Sequence, residues 1–286
     1  MPRVMSQKPI LTDGAWGTQL QERGLTADEL PDLWNLEHPE RVEEVPRLYV
    51  EAGSEIVLTN TFRANRIVVH EKYPAADVRA INRAGVEISR RAADGRAKVF
   101  ASIGPSGKLL MMGDVSEDEL KAAFTEQAEA IAEAEADAIV IETMSDLIEA
   151  KIALAAAKST GLFVVSCMVY DTGRNKDRTM MGITPEQAAA ELGEAGVDVI
   201  GANCGNGIAG YVPICERLHA ATKLPIWIKA NAGLPEMRDG QVIYTTTPAE
   251  FASYIPKLAA AGAGYVGGCC GTGPEYIRAA CEALSG

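Results

Sequence analysis

Ala138-Ile139-Val140-Ile141-Glu142 is an apolar run that ends abruptly in a carboxylate. Three consecutive β-branched residues with no polar interruption read as a strand buried on both faces, as in a parallel sheet. A helical pattern from Glu117 to Ala136 precedes the run, and another from Asp146 to Thr160 follows it. Working outward, the same strand–helix unit recurs in both directions. Pro9 to Asp13, Glu55 to Asn60 and Lys98 to Ile103 read as strands upstream. Phe163 to Val169, Asp198 to Asn203, Pro225 to Ala230 and Gly264 to Gly268 read as strands downstream. Helical patterns fill the gaps at Pro39 to Ala52, Ala75 to Ala93, Pro185 to Ala195, Ile208 to Ala221, Pro248 to Ala261 and Pro274 to Leu284. Several begin with a capping residue or a first-turn proline, as in Thr184-Pro185, Thr247-Pro248, Ser116 and Ser145. Strict alternation of this kind predicts an α/β fold, a (β/α)8 TIM barrel, as a single domain over residues 1–286. A doubly wound sheet is the runner-up architecture for the same alternation. Gln21 to Glu37 and Asp171 to Ile183 fall outside the repeat and are expected to form loops over an active site.

The chain has 286 residues, 47% of them hydrophobic, and a formal net charge of −12. So acidic a chain is a poor partner for nucleic acid or an anionic membrane surface. No apolar run reaches the roughly 18 residues of a membrane-spanning helix, and Met1 to Lys8 lacks the apolar core of a signal peptide. Six cysteines without a secretory signal point to a reducing, cytoplasmic location. Cys167, Cys215 and Cys281 lie in apolar or helical contexts and read as small core residues.

In a barrel of this type the chemistry sits at the C-terminal ends of the strands. Those positions are Asp13, Asn60, Thr61, Glu142, Thr143, Cys204, Asn231, Cys269 and Cys270. The first and eighth strands are neighbours in such a barrel, with the sixth and seventh next, so the three cysteines and Asn231 are expected on one side of the mouth. Three thiols are three ligands for a tetrahedral zinc with a fourth position open. Three thiolates make zinc a weak Lewis acid for generating hydroxide, and a better holder of a substrate thiol as nucleophile. That points to alkyl transfer to sulfur. A closed structural zinc, or a Cys269–Cys270 redox pair, would use the same residues. Asn231 is a candidate for the open position until substrate displaces it. Asp13 and Glu142 are candidates to receive the ammonium of an amino-acid substrate. Trp16 and Trp34 lie in the first loop and are available as a wall. His38, His70 and His219 fall away from strand ends, so no histidine base is expected and no catalytic group beyond the zinc site.

Asp-Gly-Ala-Trp-Gly-Thr at 13–18, Thr-Asn-Thr-Phe at 59–62, Asn-Cys-Gly at 203–205, Asn-Ala-Gly-Leu-Pro at 231–235 and Gly-Gly-Cys-Cys-Gly-Thr at 267–272 resemble the homocysteine S-methyltransferase family. The spacing is most similar to the homocysteine-binding domain of cobalamin-dependent methionine synthases, and the resemblance runs from about Ile10 to Ala280. It implies zinc (Zn2+) on Cys204, Cys269 and Cys270, with the homocysteine sulfur as fourth ligand in place of a group such as Asn231. It also implies that Asp13 and Glu142 hold the homocysteine amino group. Trp16 departs from the methionine common at its position in methionine synthases. The chain has no Asp-x-His-x-x-Gly corrinoid motif and ends soon after its eighth helical pattern. The methyl group is therefore expected from a separate corrinoid (cobalamin) protein. The alternatives are a free onium donor such as S-methylmethionine or betaine, or a non-catalytic zinc- or thiol-binding subunit.

Overall fold

In the computed structural model, which describes residues 8–238 and 241–285, the chain enters its sheet at β1 (Ile10–Leu11). It then supplies β2 (Ile56–Val57), β3 (Lys98–Ile103), β4 (Ala138–Met144), β5 (Phe163–Met168), β6 (Val199–Cys204) and β7 (Ile226–Ala230). A short excursion, β8 (Pro235–Arg238) and β9 (Gln241–Tyr244), precedes the last barrel strand, β10 (Ala263–Gly268). Barrel strands pair in parallel in the order β1-β10-β7-β6-β5-β4-β3-β2. A parallel bridge between Thr12 and Ile56 closes the ring, beside a hydrogen bond from the Glu55 amide to the Leu11 carbonyl at 2.8 Å.

The helices are α1 (Gly17–Glu22), α2 (Trp34–Glu37), α3 (Pro39–Glu51), α4 (Arg66–Lys72), α5 (Val78–Ala93), α6 (Glu117–Glu133), α7 (Leu147–Ser159), α8 (Pro185–Glu194), α9 (Ile208–Ala221), α10 (Pro248–Ala260) and α11 (Pro274–Ser285). Reciprocal capping boxes, Ser116 with Glu119 and Thr184 with Gln187, fix the starts of α6 and α8. The expected (β/α)8 barrel is therefore the observed fold, with three differences of detail. Residues 21–37 are not a bare loop, since they include the end of α1, a 3-10 turn at Pro31–Leu33 and α2. β8 and β9 form an antiparallel hairpin at the barrel mouth that the eightfold alternation does not contain. β1 and β2 are shorter than expected because side chains interrupt the ladder: the Leu58 amide donates to Asp13 and the Ser102 amide to Thr59 Oγ1.

The period-2 rule sorts each strand into two sets. Ile139 and Ile141 pack outward against the helices, whereas Ala138 and Val140 belong to the separate cluster inside the barrel. That interior holds large rings: Phe100 stacks on Trp227 at 6.0 Å, and Trp227 meets Tyr265 at 5.2 Å. Gly201 makes room for them, since a Cβ there would lie 2.3 Å from the Trp227 carbonyl and 2.8 Å from Cys167 Sγ. Above these rings the same inward phase places Glu142 on β4 and Lys229 on β7, at the floor of the open end.

Candidate active site at the barrel mouth

β6 and β10 are separated only by β7, so the two cysteine-bearing loops emerge side by side. Cys204 closes β6 in the left-handed region, at φ 66°, a conformation uncommon for a residue with a side chain. Asn231 ties the loops together: its Nδ2 donates to the Gly205 carbonyl at 2.8 Å, and its Oδ1 accepts from the Cys270 amide at 3.0 Å. The Cys269 amide donates to the Ala230 carbonyl at 2.7 Å, and the Gly268 amide to the Asp13 carbonyl at 2.9 Å. The result is that the Sγ atoms of Cys204, Cys269 and Cys270 all lie within 4.8 Å of one another, each partly exposed to the mouth.

Three thiols at that separation match a tetrahedral zinc, whose Zn–S bonds of about 2.3 Å set sulfurs about 3.8 Å apart. The electrostatics agree. Hydrogen bonds from Cys269 and then Cys270 hold the Cys204 thiol well below its ordinary range. Interaction with that thiolate pushes Cys269 and Cys270 up. The cluster left to itself keeps one charge, and a divalent cation is what allows all three to ionise. By contrast Cys167 and Cys215 are buried in the core, and burial raises both thiols.

Beneath the sulfurs lies a buried polar layer. Glu142 accepts from Ser102 Oγ, and more distantly from Asn203 Nδ2 at 3.4 Å. Burial pushes its carboxyl up, with the Lys229 charge opposing. Asn203 Nδ2 also donates to Thr143 Oγ1 at 2.7 Å and lies 3.9 Å from Cys269 Sγ. Asp13 is wholly buried: one oxygen pairs with Lys229 Nζ, and the other accepts from Trp16 Nε1 at 2.9 Å and the Leu58 amide at 2.7 Å. Burial works against the Lys229 ammonium, but the charges of Asp13 and Glu142 outweigh it and raise its pKa.

Of the residues singled out in the sequence, the fold brings together Cys204, Cys269, Cys270, Asn231, Glu142 and Asp13. Asn60 and Thr61 spend their side chains on the framework instead. Asn60 bonds the Pro31 carbonyl and Asn35, and Thr61 bonds the Ser102 carbonyl. Trp34 is buried and bonds Glu29, while Trp16 serves as a donor to Asp13. Asn231 offers its amide oxygen to the Cys270 backbone and its nitrogen to Cys204 Sγ at 3.6 Å, so it orients the ligand loops. Three residues escaped the sequence reading: Lys229, Asn203 and Tyr244. Tyr244 ends the hairpin and lays its ring against Gly271, and its hydroxyl interacts with Cys270. Lys229 was detectable as the inward neighbour of Trp227 on a period of two.

Comparison with known proteins agrees with this geometry. The chain is 31% identical to a methionine synthase of Mycobacterium leprae, across 99% of its own length and 25% of that protein. It stands in the same relation to the methionine synthase of Mycobacterium tuberculosis. The chain thus spans about a quarter of the length of these curated relatives. In fold it resembles the homocysteine methyltransferase MmuM from Escherichia coli in its metallated form, with a TM-score of 0.78, 24% identity and 95% of each chain covered. The family model for homocysteine S-methyltransferase matches residues 10–284, nearly the whole chain, and this chain belongs to that family.

Proposed function

We propose that this protein transfers a methyl group to the sulfur of homocysteine, giving methionine, at a zinc ion held by Cys204, Cys269 and Cys270. The observation that carries the reading is the convergence of three thiols within 4.8 Å at the open end of the barrel. Zinc, when bound there, keeps the thiols ionised at neutral pH and offers the substrate sulfur a position beside them. The chain does the rest. The Asn231 amide and the backbone bonds of the two loops hold the sulfurs in register. Asp13, paired with Lys229, and Glu142 form the polar floor of the site, and Asn60 and Thr61 brace the second strand beside it. In the transfer the acceptor thiol loses its proton. Its sulfur then forms a bond to the methyl carbon as the bond from that carbon to the donor breaks, and the electron pair leaves with the donor.

For the donor we favour a corrinoid protein, because the relatives at 31% identity are methionine synthases. A small onium donor such as S-methylmethionine or betaine is the second reading. All six cysteines are free thiols, which suits a reducing compartment such as the cytoplasm. Among the described residues no helix is long and apolar enough to cross a membrane.

The test is zinc-edge X-ray absorption on anaerobically purified protein, with and without homocysteine. A change from three sulfurs and one light atom to four sulfurs is expected. An unchanged four-ligand site would instead favour a structural or sensing zinc. Turnover with homocysteine and a panel of onium donors in the absence of a second protein would select the free donor. No turnover across the panel would select the corrinoid partner.

A further inference from the structure

Each of the three sulfurs at the barrel mouth has its own hydrogen-bond donor. Asn231 Nδ2 donates to Cys204 Sγ at 3.6 Å, and Asn203 Nδ2 to Cys269 Sγ at 3.9 Å. The Tyr244 hydroxyl donates to Cys270, and Cys204 and Cys269 lie within the field of the same group. Asn203 and Asn231 stand at the ends of β6 and β7, whereas Tyr244 comes from β9, outside the eightfold repeat. Two contacts tie its end of the hairpin to the barrel. The Thr246 amide donates to the Ala232 carbonyl at 3.1 Å, and the Tyr276 hydroxyl donates to the Thr246 carbonyl at 2.7 Å. The Tyr244 ring covers Gly271, where a Cβ would lie 2.3 Å from the ring's Cγ. Only a residue without a side chain directly after Cys270 leaves the ring that place.

A methyl donor that reaches this mouth meets the protein's own sulfurs as well as the acceptor's, because all three cysteines are partly exposed. Thiolate is the nucleophilic form of each. A hydrogen bond to a thiolate is strongest while the sulfur holds its full charge and weakens as that charge passes to carbon, so it slows attack by that sulfur. We propose that Tyr244 is a positioning residue that, with Asn203 and Asn231, withholds the protein's sulfurs from methylation and so directs the methyl group to the acceptor. In the side reaction it suppresses, Cys270 Sγ bonds the methyl carbon as the bond from that carbon to its leaving group breaks, and the electron pair departs with the leaving group. The product is a neutral thioether in place of a thiolate ligand. The inference rests on the thiol-binding reading above and adds how the site chooses among sulfurs, which outer-shell donors are suited to do.

The experiment treats the zinc-loaded full chain with methyl iodide, with and without L-homocysteine, and maps S-methylcysteine by peptide mass spectrometry. In wild type with homocysteine, methionine should form at least about tenfold faster than S-methylcysteine at any of the three positions. Tyr244→Phe keeps the ring and loses the donor. It should raise methylation of Cys270 by about tenfold relative to Cys204 and Cys269 in the same molecules. A rise in Tyr244→Leu with none in Tyr244→Phe would mean that the ring merely covers the sulfur, and overturns the inference. No change in either variant overturns it too. If the variants do not hold zinc, the wild type decides: cysteines methylated as fast as homocysteine overturn the inference while leaving the thiol-binding reading intact. Methionine formed no faster than in protein-free solution overturns that reading itself.

Discussion

Asn203 and Thr143 bond each other in both directions across the barrel mouth. The Thr143 amide donates to Asn203 Oδ1 at 2.7 Å, and Asn203 Nδ2 donates to Thr143 Oγ1 at 2.7 Å. Thr143 sits at φ 63°, where a β-branched residue is strained by about 1–2 kcal/mol. The paired hydrogen bonds offset that strain, and the same amide reaches Glu142 and the Cys269 sulfur. One side chain therefore fixes the carboxylate relative to the thiols. Asn203→Ala should keep its zinc but lose about 1–3 kcal/mol of stability in a urea titration. Its thiol affinity should fall as well. Unchanged stability would show that the pair does not hold the turn.

The Lys229–Asp13 pair makes a second claim on stability. Both side chains are buried, so removing one partner leaves the other charge uncompensated. Lys229→Ala is expected to cost about 3–5 kcal/mol. Asp13→Asn with Lys229→Met should cost clearly less than the sum of the two single changes. A double-mutant cycle by chemical denaturation measures this, and additive values would mean that the pair is not coupled.

Glu142 gives a pH dependence whose sign follows from its burial. The folded protein holds its proton more tightly than the unfolded chain, because burial raises the carboxyl. Its ionisation therefore penalises the fold. The penalty is absent below the ordinary glutamate range, near pH 4, and grows as pH rises toward the raised value. Metal-free Glu142→Gln should match wild type near pH 4 and exceed it at pH 7. The reverse trend in urea midpoints would contradict this assignment.

Zinc loading should be linked to protons. Cys204 carries the charge of the cluster, whereas Cys269 and Cys270 are held protonated by interaction with it. Binding zinc at neutral pH should release about two protons per ion, and affinity should fall steeply on acidification. Proton release in weak buffer with an indicator dye gives the count directly. A release near zero would mean that the two thiols are not ligands.

The strands of this barrel were legible because Ile and Val runs such as 138–141 have no other stable reading, and proline and capping residues marked the helix starts. The hairpin of β8 and β9 was hidden by the eightfold count, although Asp239-Gly240, between Arg238 and Gln241, is a favoured hairpin dipeptide. The cysteines were legible because glycines surround them at strand ends. The partner of Asp13 was not, because Lys229 lies 216 residues away and only the closed ring brings the two together. Asn60 and Thr61 show the converse. A strand-end position does not say whether a side chain faces the mouth or braces the wall, and here Asn35 and the Ser102 carbonyl claim them.

Cys204 occupies a backbone conformation, φ 66°, that glycine would adopt without cost. The chain therefore sets activity against durability at this position. Metal-free Cys204→Gly should melt higher than wild type, with relief of up to about 1 kcal/mol, whereas Cys204→Ser, which keeps the side chain, should not. Both variants should lose zinc. An enzyme that becomes sturdier when its ligand is erased would place Cys204 among residues kept for chemistry against the preference of the fold.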